Sequence, residues 1–260
     1  MFWALAAGAI DTRGFEFEHV LQDIQTLSEW ALEGRLETTA MSLASYPLVQ
    51  DKYAILPHGA SMGSGYGPVV VGPRALSTDE LRETEIVVPG EMTTAFLTLR
   101  LHLGDFAYRV LPFDEILDEV REGRAAAGLL IHEGQLTYAA HGLQKSVDLG
   151  EWWLLETGLP LPLGINVARR DLGDEQLHEL SEVLRESIRA GLDNREEAMR
   201  YAMQFGRGLD ERLADRFVGM YVNELTENYG DEGRKAVEEL LGRAAAMGLY
   251  ERPVELSFVS

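Results

Sequence analysis

Cysteine is absent from the 260 residues of the chain, and basic side chains are scarce. The lack of cysteine excludes disulfide bonds, thiolate catalysis and cysteine-bound zinc. Only 23 Lys and Arg stand against 43 Asp and Glu, which gives a formal charge of −20. Because contact with nucleic acid or with an anionic membrane depends on Lys and Arg, we expect neither partner. The charge is typical of a solvated acidic surface that keeps a protein in solution.

Long apolar runs are also lacking, since no segment approaches the roughly 20 apolar residues of a membrane span. Residues 1–11 are apolar and small, as in a secretory signal, but the first positive charge comes only at Arg13. A signal peptide begins with a basic region, so these residues predict a short helix over 2–8 instead. We expect a cytoplasmic protein. Its 46% of apolar residues is enough for a buried core.

Strand and helix patterns alternate through the first two thirds of the chain. Such alternation is typical of βαβ units and a parallel sheet, whereas only helices are predicted after residue 170. The predicted strands lie at residues 15–20, 38–41, 53–56, 69–71, 85–88, 108–110 and 127–131, with an extended crossover at 159–168. The predicted helices lie at 22–33, 93–103, 114–122, 174–190, 194–204, 210–225 and 231–247, with shorter ones starting near Ser42 and Ser77.

The element order predicts an α/β fold of two lobes with a ligand cleft between them. A chain of this length suits two modest domains. We expect the closing helices to pack back onto the first part of the chain. Lobe 1 is then discontinuous, with residues 1–70 plus 166–260, and lobe 2 comprises residues 71–165.

The segment from Ala125 to Gly134 carries a candidate catalytic residue. It is a small and apolar run that ends abruptly at His132, as expected of a buried parallel strand. Ligands of open α/β sheets bind outside the carboxyl ends of the strands, and a neutral imidazole is the usual general base near neutral pH. His132 is therefore a candidate base. The alternative is a structural histidine whose ring nitrogens are satisfied by hydrogen bonds.

The spacing of the residues around His132 and Glu133 excludes a zinc protease site. The zinc protease motif needs a second histidine at position 136, which is Leu136, and Gly134 follows the pair. We therefore expect no metal. His141 could share the cleft with His132, but we expect it at the surface. The remaining histidines, which show no metal-ligand spacing, are His19, His58, His102, His141 and His178.

Two predicted helix starts carry hydroxyl side chains. Thr93 and Thr94 open one helix, and Ser42 opens another in the other lobe. Free backbone amides at a helix start bind anions, so two such ends facing a cleft would hold a small carboxylate. Ordinary capping by Thr93 is the alternative, and both can hold at once.

The glycine-rich loop from Gly63 to Gly67 precedes a predicted strand, whereas a dinucleotide-binding loop follows a strand and opens a helix. We interpret it as a cleft-lining or hinge loop whose glycines allow close approach of the backbone. Trp152 and Trp153 are expected in a core or an interface rather than stacked on a ligand.

One set of motifs runs over nearly the whole chain. Its segments are Asp23 to Gly34, Val88 to Gly90, Thr93 to Ala95, Ile131 to Tyr138, His141 to Leu143, Val147 to Trp153 and Thr157 to Gly164. Together they resemble the 1,4-dihydroxy-6-naphthoate synthase family.

The resemblance implies a fold like that of the type II periplasmic binding proteins and a step of menaquinone biosynthesis by the futalosine route. It implies a lyase without a cofactor that converts cyclic dehypoxanthinyl futalosine, a carboxylic acid joined to a sugar-derived ring, to 1,4-dihydroxy-6-naphthoate. The partner is thus a small carboxylate substrate, and the protein is expected to be a monomer or a homodimer. The family's catalytic base corresponds to His132. Its substrate-contacting segments correspond to Ala40, Met41, Ser42, Thr93 and Thr94.

The start of the chain departs from the family pattern. Members usually begin with a strand and a Ser-Pro-Cys-Pro-Asn-Asp-Thr-Phe loop that lines the cleft, whereas this sequence begins with Met1, Phe2 and Trp3. We therefore expect a central strand of lobe 1 to be missing, and the protein to be less stable and less active for that reason.

Two other functions stay open. A solute-binding protein for a small carboxylate would have the same fold, because fold does not determine function, but it would carry an export signal or a lipid anchor. Chorismate dehydratase is a related enzyme of the same pathway. The segment from His132 to Tyr138 favours the naphthoate synthase.

Overall fold

A computed structural model describes residues 1–205 and 211–260. The nine strands of this part are β1 (Thr38–Ser42), β2 (Tyr53–Ile55), β3 (Ser61–Gly63), β4 (Val69–Gly72), β5 (Ile86–Val88), β6 (Tyr108–Val110), β7 (Ala127–Leu130), β8 (Gln144–Asp148) and β9 (Leu161–Arg169). Its α-helices are α1 (Trp3–Ala6), α2 (Ile24–Glu33), α3 (Tyr46–Val49), α4 (Thr78–Arg82), α5 (Thr94–Leu103), α6 (Phe113–Arg121), α7 (Gly134–Thr137), α8 (Leu149–Thr157), α9 (Asp174–Asp193), α10 (Arg195–Met203), α11 (Glu211–Tyr221), α12 (Glu224–Glu227) and α13 (Gly230–Ala246).

Local sequence signals explain several helix ends. Asp23 caps α2 through bonds from two backbone amides, and Gly34 ends that helix in the left-handed conformation. Ser77 and Glu80 form a reciprocal capping box at α4. The predicted helices are therefore confirmed to within a few residues. The predicted start of one of them at residue 210 lies outside the described residues.

The strands form two sheets. The first has the order β1-β9-β2, and β3 also pairs with β9. The second has the order β6-β5-β7-β4-β8. The chain thus crosses from the first sheet to the second between β3 and β4 and returns between β8 and β9. The lobe boundaries that we predicted at residues 70 and 165 fall inside β4 and β9.

The prediction of a parallel sheet is correct only for part of the second sheet. There β5 runs parallel to β6 and β7, whereas β4 runs antiparallel to β7 and β8. In the first sheet, every ladder to β9 is antiparallel. The strands β3, β4, β8 and β9, which adjoin the two crossings, run antiparallel to their neighbours. They carry the chain between the lobes and are not joined through a βαβ unit.

The predicted strand at residues 15–20 is wrong, since no strand forms there. Phe15 and Phe17 are half-buried while Glu16 and Glu18 are exposed. The two phenylalanine rings lie 6.2 Å apart and pack on the cluster formed by the first sheet and α9. The alternating pattern is therefore satisfied by this packing alone, without a ladder partner.

Both lobes share one hydrophobic core. The largest cluster joins Met41 and Ile165 of the first sheet to Val88 and Leu129 of the second. Trp153 is fully buried in it, and its indole nitrogen donates to the Pro160 carbonyl (3.2 Å), which confirms its predicted core position. No helix in the described part of the chain is long and apolar enough to cross a membrane.

The junction between the lobes depends on glycine. A Cβ atom at Gly150, at the start of α8, would lie 2.0 Å from the Tyr66 carbonyl oxygen. A Cβ at Gly67 would lie 2.8 Å from the Gly150 nitrogen. The glycine-rich loop therefore packs backbone to backbone against α8, so the close approach that we predicted is made to the protein itself.

Substitution of Gly150 tests this contact. Alanine usually stabilises a helix interior by about 1 kcal/mol relative to glycine. Because a Cβ at Gly150 meets rigid backbone, Gly150→Ala is expected to lower the free energy of unfolding by about 2 kcal/mol, in the range of overpacked sites. Gly242→Ala in α13 is the matched control, since nothing lies within 4 Å of its Cβ position. Urea unfolding that showed equal stabilisation in both variants would contradict the tight junction.

The stability of the protein should also depend on His58, which follows β2 and is 1% exposed. Burial, assisted by the positive charge of Arg185, lowers the pKa of His58 to about 4 from an ordinary value near 6.5. The unfolded chain therefore binds a proton at a higher pH than the folded chain. We expect the free energy of unfolding to fall by about 2 kcal/mol between pH 7 and pH 5 from this residue. Urea unfolding of His58→Gln should show a shallower fall, and the exposed control His141→Gln should behave like the native protein.

Candidate functional site

His132 lies just beyond the carboxyl end of β7, as predicted. Gly128 in β7 allows α6 to pack closely, because a Cβ there would lie 2.7 Å from methyl carbons of Ile116 and Val120. The strand ends at Leu130, and the backbone of His132 has a positive φ of 53°. Histidine occupies this left-handed region more readily than most residues. The conformation turns the chain sharply into the short helix α7.

Aromatic rings flank the half-buried imidazole of His132. The ring of Phe113, at the start of α6, lies 4.6 Å from it between centroids. The ring of Phe217, in α11, lies 6.4 Å away on an element from the other end of the chain. The imidazole thus sits between a helix of the second lobe and one of the C-terminal helices.

An interlobe pocket of about 420 Å³ has Phe113 in its wall. Its first wall is the start of α2, which packs on β1, and its second wall comes from the ends of β5 and β6. Phe113 belongs to both the pocket wall and the ring contact with His132. One aromatic ring therefore links the imidazole to the space between the lobes. The pocket is lined by Asp23, Gln25, Thr26, Pro89, Val110, Leu111, Pro112, Phe113 and Asp114.

The lobes touch directly at Ser42 and Thr94, two of the predicted substrate-binding residues. Their hydroxyl oxygens are 2.9 Å apart, and the Thr94 backbone N–H donates to Ser42 Oγ (2.6 Å). Thr94 Oγ1 also donates to the Leu163 carbonyl (2.6 Å) and accepts from the Ala44 amide (3.1 Å). Both side chains are almost fully buried. In this conformation they join the end of β1 to the start of α5, so the two helix starts meet each other.

The other predicted binding residues have different surroundings. Thr93 caps α5 by accepting from the Phe96 amide (3.1 Å), which confirms its predicted capping role. Met41 is fully buried in the core, so only its backbone lies near the contact between Ser42 and Thr94. Ala40 lines a second pocket of about 460 Å³, together with Thr39 and Asn166. The structure therefore brings Ser42 and Thr94 together, whereas His132 lies in a separate group with Phe113 and Phe217.

Gln135 is the main polar residue near His132 that the sequence did not single out. With the carboxamide oriented so that each neighbour has a complementary partner, Nε2 donates to the Gly67 carbonyl (2.7 Å) and to the Tyr221 hydroxyl (2.6 Å). Oε1 then accepts from the backbone N–H of His132 (3.2 Å). Gln135 lies within the motif that carried the resemblance, but its partners come from distant segments. No local pattern could have found them.

Metal binding finds no support in the described residues, where no group of three or more His, Asp or Glu side chains could hold an ion. His141 is exposed, as predicted. Trp152 packs edge to face against His102, with ring centroids 4.8 Å apart. These residues take no part in the arrangement around His132.

The chain is similar to proteins of known function. Residues 1–246 match the family model described as "Menaquinone biosynthesis". A 1,4-dihydroxy-6-naphthoate synthase of Thermus thermophilus is 41% identical over 249 residues, which cover 96% of this chain and 90% of that protein. One of Streptomyces coelicolor is 41% identical over 233 residues, which cover 87% and 82%.

Solved structures show the same fold. A crystal structure of a protein from Archaeoglobus fulgidus is 46% identical, with a TM-score of 0.91 over 96% of this chain and 93% of that one. The periplasmic aliphatic sulphonate binding protein of Escherichia coli is 11% identical, with a TM-score of 0.67 over 97% and 85%. The two-lobed α/β fold is thus that of the periplasmic binding proteins. Because the family model matches residues 1–246 and both synthases are 41% identical over most of the chain, the chain belongs to the menaquinone biosynthesis family.

Proposed function

We propose that this protein is a 1,4-dihydroxy-6-naphthoate synthase that acts on cyclic dehypoxanthinyl futalosine, with His132 as the general base. The family membership and the synthases at 41% identity support the reaction. The position of His132 at the carboxyl end of β7, one ring away from the interlobe pocket, supports its role. That position is the observation on which the proposal rests.

The chemistry requires a base in an enclosed site. In the proposed mechanism His132 removes a proton from a hydroxyl of the sugar-derived ring. The alkoxide becomes a carbonyl as the adjacent carbon–carbon bond breaks, and the electron pair of that bond passes into the ring that becomes aromatic. The sugar-derived carbons leave as a carbonyl compound, and the proton held by His132 returns to an oxygen of the products. Formation of the aromatic naphthoate drives the reaction. The rings of Phe113 and Phe217 flank the half-buried imidazole and restrict its orientation. A positioned base of this kind contributes about 10²–10⁴ to the rate.

The substrate carboxylate requires hydrogen-bond donors. In the proposal it binds at the start of α5, where backbone amides and the hydroxyls of Ser42 and Thr94 converge. The bonds between these groups in the present conformation would be exchanged for bonds to the carboxylate. Holding the carboxylate there fixes the orientation of the reacting ring relative to His132.

The proposal extends to the location, the oligomeric state and the partners of the enzyme. We place it in the cytoplasm, as a monomer or a homodimer that binds a small carboxylate and neither nucleic acid nor a membrane. The formal charge of −20 favours the absence of those last two partners.

Replacement of His132 tests the base. Because its φ is positive, His132→Asn is the better variant: asparagine tolerates this backbone and cannot act as a base at neutral pH. We expect kcat to fall about 10²–10⁴-fold in an assay that follows the naphthoate chromophore. His141→Asn is the matched control on an exposed histidine. Activity retained by His132→Asn would refute the assignment, and tight binding of the substrate by the native protein without turnover would favour a solute-binding function.

Replacement of Thr94 tests the carboxylate site. Thr94→Val keeps the shape of the side chain but removes its hydroxyl, and one hydrogen bond to a charged group corresponds to about 1.5–3 kcal/mol. We expect KM to rise roughly 10-fold or more for Thr94→Val, while Thr94→Ser stays within a few-fold of the native value. A Thr94→Val protein with a lower melting temperature and an unchanged KM would show that the hydroxyl only joins the lobes.

A further inference from the structure

We infer that the hydrogen bond between Tyr221 and Gln135 is a positioning device that couples closure of the lobes to the orientation of His132. This inference rests on the proposed function of His132 as the base. Tyr221 and Gln135 are positioning residues in it, because they act on the imidazole through the backbone rather than on the substrate.

Gln135 holds the backbone of His132. Its Oε1 accepts from the His132 N–H (3.2 Å), and its Nε2 donates to the Gly67 carbonyl (2.7 Å). The His132 carbonyl in turn accepts from the Gln135 N–H (3.2 Å). Because φ at His132 is positive, the surrounding structure must stabilise this conformation, and the two bonds to Gln135 do so.

Tyr221, which lies in another part of the fold, is a further hydrogen-bond partner of the Gln135 carboxamide. The hydroxyl lies 2.6 Å from the Gln135 side chain, and 86 residues separate the two in sequence. Both residues are more than 90% buried. Burial raises the pKa of Tyr221, so its hydroxyl stays neutral across the physiological range, and its oxygen accepts from Gln135 Nε2. A missing partner at this buried site would leave the carboxamide free to rotate away from His132.

The helix that carries Tyr221 contacts His132 in two ways. Residues four apart share one face of a helix, and Phe217 and Tyr221 in α11 have ring centroids 5.3 Å apart. Phe217 faces the imidazole directly, while Tyr221 reaches the His132 backbone through Gln135. One helix face therefore sets both the ring environment and the backbone of His132.

The contact crosses between the lobes. The helix α11 packs on β3 of the first sheet and on α10, whereas Gln135 follows β7 of the second sheet. Separation of the lobes would break the bond between Tyr221 and Gln135 and withdraw Phe217 from the imidazole. His132 is then fully oriented only when the cleft is closed around substrate, which limits unproductive proton transfer in the open state.

The decisive experiment uses Tyr221→Phe, which keeps the ring and removes only the hydroxyl. We expect kcat to fall about 10-fold while KM changes less than about 3-fold, since a small displacement of a catalytic group reduces the chemical step. The pH profile of kcat should keep its shape at a lower plateau. Gln135→Leu should have a larger effect, and the double variant should be no slower than Gln135→Leu alone, because both changes break one chain of bonds.

Tyr66→Phe is the matched control. The ring of Tyr66 packs against Tyr221 (5.7 Å), and its hydroxyl donates to the Met220 carbonyl rather than to Gln135. Equal loss of kcat in Tyr66→Phe and Tyr221→Phe would overturn the inference, since the effect would then come from anchoring α11 alone. Additive losses in the double variant would overturn it as well. If His132→Asn is active, the proposed function fails; if His132→Asn is inactive and Tyr221→Phe is fully active, only this inference fails.

Discussion

Three strands of the first sheet, β1, β2 and β3, take their ladder hydrogen bonds from β9. That strand is the segment that returns from the second lobe, so the first sheet cannot form without the crossing. These ladder bonds also position the contact between the lobes at Ser42 and Thr94. The register that pairs Ser42 with Gly164 brings the end of β1 beside Leu163, whose carbonyl accepts from Thr94. The candidate carboxylate site and the first sheet thus both depend on β9.

The second lobe positions His132 through packing and backbone shape. Gly128 allows α6 to lie against β7, and this contact places Phe113 beside the imidazole. The positive φ at His132 then directs the chain into α7, from which Gln135 reaches back. The short loop at His132 is held in place by contacts from three parts of the chain. This is expected where a catalytic group must be held in one orientation.

Features that depend on local chemistry could be predicted from the sequence. The helix starts at Ser77 and Thr93 were of this kind, because each depends on residues within one helical turn. The end of β7 at His132 was also predictable from the apolar run that precedes it. The two-lobed fold followed from the element order together with the family resemblance.

Features that depend on distant partners could not be predicted. The direction of β4 and β9 is decided by where the chain crosses between lobes, and no residue pattern in either strand encodes it. The alternation at residues 15–20 predicted a strand, but side-chain packing alone satisfied it. Tyr221 and Gln135 meet across 86 residues, and neither has a local pattern that names the other. The missed site residues are those whose role exists only in the folded molecule.

The dependence of the first sheet on β9 has a consequence for biosynthesis. The strands of the second sheet all lie between Val69 and Asp148, so this sheet can assemble as soon as that stretch has left the ribosome. The strand β1 must wait, since the Thr38 hydroxyl bonds a carbonyl 129 residues further along the chain. The first lobe is then begun first by the ribosome but completed last, and during that interval β1 lacks its ladder partner.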